Sequence, residues 1–126
     1  MSFDFELSSG AFRLPTAAQS VDWLVLNNTD SEQHVRVTVF VASGGQGKYE
    51  IPPASREVDL PPRTLAHHAS HVGSGNSFDP GMPIEVVVEC NDLRVLPTVE
   101  VWEDHGAKIM PGTRIGPRDF IRIDGT

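Results

Sequence analysis

The stretch His34-Val35-Arg36-Val37-Thr38-Val39-Phe40-Val41 decides the fold of this chain. Its four valines stand at alternate positions, and alternate side chains of a β-strand point to one face. The run therefore predicts a strand with one buried face. The stretch Ile84-Glu85-Val86-Val87-Val88-Glu89-Cys90 repeats this alternation, with its two glutamates facing water and Cys90 on the buried side. We expect Cys90 to be a core residue and not a nucleophile.

A third stretch, Val21-Asp22-Trp23-Leu24-Val25-Leu26, is apolar on both faces in its second half. That pattern predicts a central strand covered on both sides. Trp23 is large and lies within the stretch, so we expect it to anchor the core.

Weaker patterns of the same kind extend along the chain between clusters of Gly, Pro and Asn, which supply turns. The further strands predicted are Phe3 to Leu7, a short piece around Phe12, Tyr49 to Ile51 or Glu57 to Leu60, Leu65 to His71, Val95 to Trp102 and Phe120 to Ile123. No window has helical spacing with caps. Since 126 residues is the size of one domain, the sequence predicts a single all-β domain over residues 1–126. Its fold class is an Ig-like antiparallel β-sandwich of about seven to nine strands.

The net charge and the composition indicate which kinds of binding partner are favoured. The formal net charge of −7 disfavours nucleic acid and anionic membrane surfaces, because both require a concentrated positive field. A basic or neutral protein surface is favoured instead. No apolar run approaches the roughly 20 residues of a membrane helix, so no membrane insertion is expected. With Cys90 the only cysteine and acids following Met1, the expected location is cytoplasmic.

A histidine cluster, His67, His68 and His71, is the candidate metal site. Imidazole is a ligand for zinc, copper, iron and nickel. On a helical turn His67 and His71 would be neighbours, whereas on a strand they lie about 13 Å apart, too far for one ion. The prolines just before the cluster favour the strand. A divalent metal at these histidines is therefore one hypothesis, and an exposed polar strand is the other; no other cofactor is predicted.

The acidic residues Glu100, Glu103 and Asp104 beside Trp102 form a second candidate site. Paired carboxylates with an aromatic platform are typical of carbohydrate sites. Acids near the end of a strand also commonly just face solvent, and that alternative stays open. The chain has no Gly-x-Ser-x-Gly elbow, and no catalytic residue is predicted.

Several segments of the chain resemble a known family. Ser9-Gly10-Ala11-Phe12-Arg13-Leu14-Pro15, residues 23–30 (Trp-Leu-Val-Leu-Asn-Asn-Thr-Asp) and residues 34–40 are similar to the opening of the small bacterial β-sandwich proteins typified by the soluble sensory rhodopsin transducer. Residues 58–64 and 82–87 are similar to later strands of those proteins. The resemblance implies a cytoplasmic, non-catalytic sandwich that forms homo-oligomers or acts through protein contacts. It transfers no catalytic residue and no rhodopsin partner.

Two hypotheses of function follow. The first is a non-catalytic protein-binding or scaffold module, similar to a transducer, that contacts a protein partner or a second copy of itself. Its contacts would use sheet edges or the loops Gly73 to Gly81 and Glu103 to Arg118. The alternative is a metal-dependent or carbohydrate-directed sandwich that uses the histidine cluster or the Trp102 acidic patch. Individual binding residues are not predicted.

Overall fold

The computed structural model describes residues 3–42, 45, 47–73, 78–103, 108–110 and 114–124. The strands within these ranges are β1 (Phe5–Ser8), β2 (Phe12–Arg13), β3 (Ser20–Asn27), β4 (Gln33–Val41), β5 (Tyr49–Glu50), β6 (Arg56–Leu60), β7 (Leu65–His71), β8 (Pro83–Cys90), β9 (Val95–Glu103), β10 (Lys108–Ile109) and β11 (Ile121–Arg122). Both alternatives at 49–51 and 57–60 form strands. The helical structure of the described ranges is two 3₁₀ turns, Pro52–Ala54 and Pro117–Asp119. No helix there is long and apolar enough to cross a membrane.

The strands form two antiparallel sheets, so the prediction of an all-β sandwich is confirmed. The larger sheet has the order β11-β1-β8-β4-β5, with β2 beside β8 and β6 beside β4. Its centre is the pair of valine-rich strands, in which Val37 lies opposite Val88 and Val39 opposite Val86. These four side chains point inward and are almost completely buried, as the alternation requires.

The smaller sheet has the order β10-β9-β3-β7. Strand β3 pairs with β9 over its whole length, and on its other side it pairs with β7. Strand β7, Leu65–His71, has the bounds that the sequence predicts. Among the described strands the order ends at β7, so this strand forms an edge of the sheet there.

A single cluster of buried side chains fills the space between the sheets. Trp23 is 4% exposed and Cys90 is fully buried, which confirms both as core residues. The indole Nε1 of Trp23 donates a hydrogen bond of 2.9 Å to the carbonyl of Ala54. Since Ala54 lies in the turn that joins β5 to β6, this bond ties the smaller sheet to the larger one.

The prediction that β3 is covered on both sides is wrong. Only the alternate residues from Val21 to Asn27 are buried, while Asp22, Leu24 and Leu26 remain partly exposed. The apolar second half of the strand results from two leucines on the outer face of the smaller sheet. A sequence pattern cannot distinguish such an outer apolar patch from a second buried face, because both place apolar residues at every position.

The two loops predicted as contact sites are described only in part. Residues 74–77 and most of 104–113 lie outside the described ranges. At the ends of the first loop, Gly73 donates its N–H to the Phe78 carbonyl, and the Phe78 side chain is fully buried. The second segment contains β10 and the turn Pro117–Asp119.

Candidate functional site

The outer face of the smaller sheet brings together residues from both candidate sites of the sequence. Cross-strand register places the outward side chains of β7, β3 and β9 in four rows. We define this outer face by those rows, which are Leu65–Leu26–Leu96, His67–Leu24–Thr98, Ala69–Asp22–Glu100 and His71–Ser20–Trp102. One end of the face is apolar and the other is polar.

The three histidines of the cluster do not share a face. His67 and His71 are exposed on the outer face, whereas His68 points inward, and its ring lies 6.1 Å from that of Trp23. Burial lowers the pKa of His68, and the Arg56 charge lowers it further. No group of three metal-binding side chains comes together within the described residues. The divalent-metal hypothesis stays an untested prediction.

The residues of the Trp102 acidic patch do not share one face either. Glu100 and Trp102 face outward, and the alternation of the strand directs Glu103 to the other side. The Trp102 side chain is partly buried, and its indole Nε1 has no hydrogen-bond partner among the described residues. Asp104, like His105, lies outside the described ranges. The carbohydrate hypothesis therefore also stays a prediction.

Asp22 lies at the centre of the outer face and was not among the candidates from the sequence. Burial raises the pKa of its carboxyl group, and this effect is opposed by the Ser20 hydroxyl, which donates to it at 3.1 Å. Its neighbour Glu100 is only 12% exposed and lies 3.5 Å from the guanidinium of Arg114. The one sequence signal for Asp22 is a carboxylate inside the otherwise apolar stretch 21–26.

The apolar end of the outer face forms a shallow groove of about 280 Å³. Four leucines line it together with Thr98, Glu100, Arg114 and Pro117, and the leucines are Leu24, Leu26, Leu65 and Leu96. Leu65 is 50% exposed, a large value for a leucine on a strand. The groove reaches the edge of the sheet at this residue.

Strand β7 also presents backbone groups at that edge that pair with no other strand of the described residues. The N–H of Asn27 donates to Thr64, and the N–H of Val72 donates to Gln19. In an antiparallel ladder the residues that bond to the neighbouring strand alternate with those that point away. Leu65, His67 and Ala69 therefore direct both backbone groups away from β3. Past His71 the edge is occupied, because Val72 forms a parallel bridge with Phe78.

The other described sheet edges are shorter or guarded by charge. Strands β10 and β11 have two residues each. Strand β6 has five residues, and three of them, Arg56, Glu57 and Asp59, are charged, with Pro61 and Pro62 following directly. Charges, prolines and short length are the usual protections of an edge strand. Strand β7 has seven residues and none of these protections.

The outer face of the larger sheet is of a different kind. A groove of about 470 Å³ crosses it, and charged side chains line that groove. Arg36 lies 2.9 Å from Glu57 and 3.4 Å from Glu89, so its charge is already compensated. His34 lies between Glu57 and Asp59, at 2.7 and 2.5 Å. Its ring stacks on that of Phe3 with centroids 5.5 Å apart.

Comparison with known proteins finds similarity in structure only. No protein-family model matches the chain, and no curated protein matches it. The crystal structure of Thermotoga maritima 1070 is similar with a TM-score of 0.54 and 11% sequence identity, over 97% of this chain and 92% of that chain. The Anabaena sensory rhodopsin transducer is similar with a TM-score of 0.44 and 14% identity, over 82% of this chain and 84% of that chain. The resemblance to the transducer proteins is thus a loose structural one, and it identifies no function.

Proposed function

We propose that this chain is a cytoplasmic, non-catalytic protein-binding module that accepts an extended segment of a partner protein as an additional strand beside β7. The observation that carries the proposal is the backbone of Leu65, His67 and Ala69, which points away from β3 and meets no other strand among the described residues. Three N–H and three C=O groups there can pair with one added strand. In strand addition of this kind, main-chain hydrogen bonds supply affinity and side-chain pockets supply specificity.

The surroundings of the edge support this use. Leu65, His67 and Ala69 are all exposed, so an approaching strand meets no overlying side chain from these positions. The inner side of β7 is supported by the Pro52–Ala54 turn, which the Trp23 hydrogen bond holds in place. The leucine groove begins at Leu65 and offers apolar surface next to the edge. A rigid, supported edge costs less entropy on binding than a mobile one.

A matched pair of Ala→Pro variants tests the edge geometry without knowledge of the partner. The N–H of Ala69 points away from β3, whereas the N–H of Ala66 points toward it. Proline is tolerated where a strand's N–H faces solvent and is disruptive where it removes a ladder hydrogen bond. We expect Ala69→Pro to keep a thermal midpoint within a few degrees of the native protein and Ala66→Pro to lower it strongly. Equal effects would contradict the assigned edge.

Binding itself is measured by selection from a random peptide display library on the native protein and on Ala69→Pro. We expect the native protein to enrich peptides that Ala69→Pro does not retain. Amide exchange in the complex should slow at Leu65, His67 and Ala69. Peptides that bind both proteins equally, or no enrichment at all, would overturn the proposal.

Two further measurements distinguish the proposal from self-association and from a metal-dependent function. Sedimentation over a range of concentrations detects self-association; a dimer that Ala69→Pro abolishes would make a second copy the occupant of the edge and the separate partner wrong. Metal analysis of protein purified without an affinity tag addresses the alternative function. Stoichiometric metal that is lost on replacing His67 and His71 by alanine would overturn the binding-module proposal.

A further inference from the structure

We infer that the segment accepted by β7 is basic, with a Lys or Arg opposite Ala69 and an apolar residue four positions further along, opposite Leu65. This inference rests on the proposed function and adds the chemistry of the partner. It is drawn from the rows of the outer face, which an added strand would continue outward.

Ala69 leaves a gap in the row that contains the two acids. An added strand would lie about 4.8 Å beyond β7, so its residue opposite Ala69 stands roughly 10 Å from the Asp22 backbone. Only the Ala69 methyl group lies between them in that row. A Lys or Arg stem can cross this methyl and place its charge at the Asp22 carboxylate. In the other three rows the larger side chains of Leu65, His67 and His71 would stand between an added strand and β3.

The electrostatics of the row favour a cation. Within the described residues Asp22 has a hydrogen bond from Ser20 but no ion pair with Lys or Arg. Glu100, the next residue in the row, has its own cation, because it lies 3.5 Å from the Arg114 guanidinium. Partial burial makes the charge of Asp22 costly, and an opposite charge nearby relieves that cost. The net charge of −7 adds a general preference for basic segments.

The apolar end of the outer face determines which kind of residue is expected opposite Leu65 in the bound segment. Leu65 is 50% exposed and continues into Leu26 and Leu96 of the same row. An apolar side chain opposite Leu65 would cover part of this exposed surface, at roughly 25 cal/mol for each Å² removed from water. Residues four apart on a strand share a face. All pairs between the named strands here are antiparallel, and an antiparallel segment would read Lys/Arg-x-x-x-apolar.

The test uses synthetic peptides and titration by NMR or calorimetry. The reference peptide is Thr-Lys-Thr-Val-Thr-Leu-Thr; a second peptide has Gln in place of Lys, and a third has Glu. We expect the Lys peptide to bind roughly two- to fivefold more tightly than the Gln peptide, the range typical of one partly exposed ion pair. The Glu peptide should bind more weakly than both.

Protein variants locate the effect at Asp22. Asp22→Asn should remove the preference for Lys over Gln and leave the affinity for the Gln peptide nearly unchanged. Glu32→Gln is the matched control, because Glu32 is exposed in the turn before β4. This substitution also removes one negative charge, but at a position away from the outer face, so the variant should keep the preference for Lys over Gln. A preference for Lys that survives in Asp22→Asn would overturn the inference.

A failure of the inferred basic specificity and a failure of the proposed function would give different results. If the Lys and Gln peptides bind equally well to the native protein and both are lost in Ala69→Pro, strand addition stands and the basic specificity is wrong. If none of the three peptides binds and the display selection also enriches nothing, the proposed function itself is wrong.

Discussion

Replacing Trp23 by phenylalanine should destabilise the protein by about 2.5 kcal/mol. The substitution removes two carbon atoms from a side chain that is only 4% exposed, at about 0.8 kcal/mol for each buried carbon group. It also removes the hydrogen bond of 2.9 Å to the Ala54 carbonyl, which contributes roughly 1 kcal/mol. For a domain of this size such a loss lowers the thermal midpoint by roughly 10 °C.

Trp102→Phe is the matched control within the same chain. Trp102 is partly buried, and its indole N–H is buried without a hydrogen-bond partner among the described residues. Its replacement loses less packing and removes a polar group that is costly to bury unpaired. We expect a change in unfolding free energy within about 1 kcal/mol of zero.

Urea unfolding followed by far-ultraviolet circular dichroism measures both variants, because tryptophan fluorescence changes with the substitution itself. The slope of free energy against urea should stay constant, so that the midpoints report stability alone. Equal costs for the two substitutions would refute the role of the Trp23 hydrogen bond. A change in slope for Trp23→Phe would indicate that the bond affects compactness instead.

Three further predictions follow from buried or paired side chains. Asn27→Asp should cost at least about 3 kcal/mol in urea unfolding, because the Asn27 amide N–H groups donate to three backbone carbonyls and a carboxylate cannot; a cost below 1 kcal/mol would contradict this. The carboxylates of Asp59 and Glu57 raise the pKa of His34, so its stabilising contribution is present below the ordinary histidine pKa and is lost as pH rises through the raised value. The stability difference between the native protein and His34→Gln should thus be larger at pH 5.5 than at pH 8.5, and thermal midpoints with no such trend would refute it. Cys90 is fully buried and burial raises its thiol pKa, so labelling by a thiol reagent should be slow in buffer and fast in urea; rapid native labelling would show the core assignment to be wrong.

Much of the fold could be predicted because burial and alternation coincide in this chain. The valine runs of β4 and β8 have one apolar face, and the structure buries that face. The hydrogen bonds of the Asn27 side chain could not be predicted in this way. Its position before a turn is visible in the sequence, but its bonds to Leu60 and Pro61 join residues more than thirty positions apart. Such bonds depend on how the strands meet in space.

In the candidate site, too, the residue types could be predicted from the sequence, whereas their arrangement in space could not. The sequence identified the histidines and the Trp102 patch as separate features, and register placed His67, His71, Glu100 and Trp102 on one outer face. Asp22 was passed over because one acid within an apolar strand has no motif. The role we propose for it depends on the size of Ala69, a residue 47 positions away that lies opposite it across the ladder.

The sequence by itself determined the class of fold, most of the strands and the inward faces of the valine-rich ones, because these depend on the local alternation of side chains about the backbone. The tertiary structure alone decided the order of strands within each sheet. Within the described part of the chain that order ends at β7, gives the outward backbone groups of Leu65, His67 and Ala69 no strand to pair with, and puts leucines on an outer face. The physical reason is that hydrogen bonding between strands is nearly independent of side-chain identity, so a strand's sequence specifies its faces but not its neighbours.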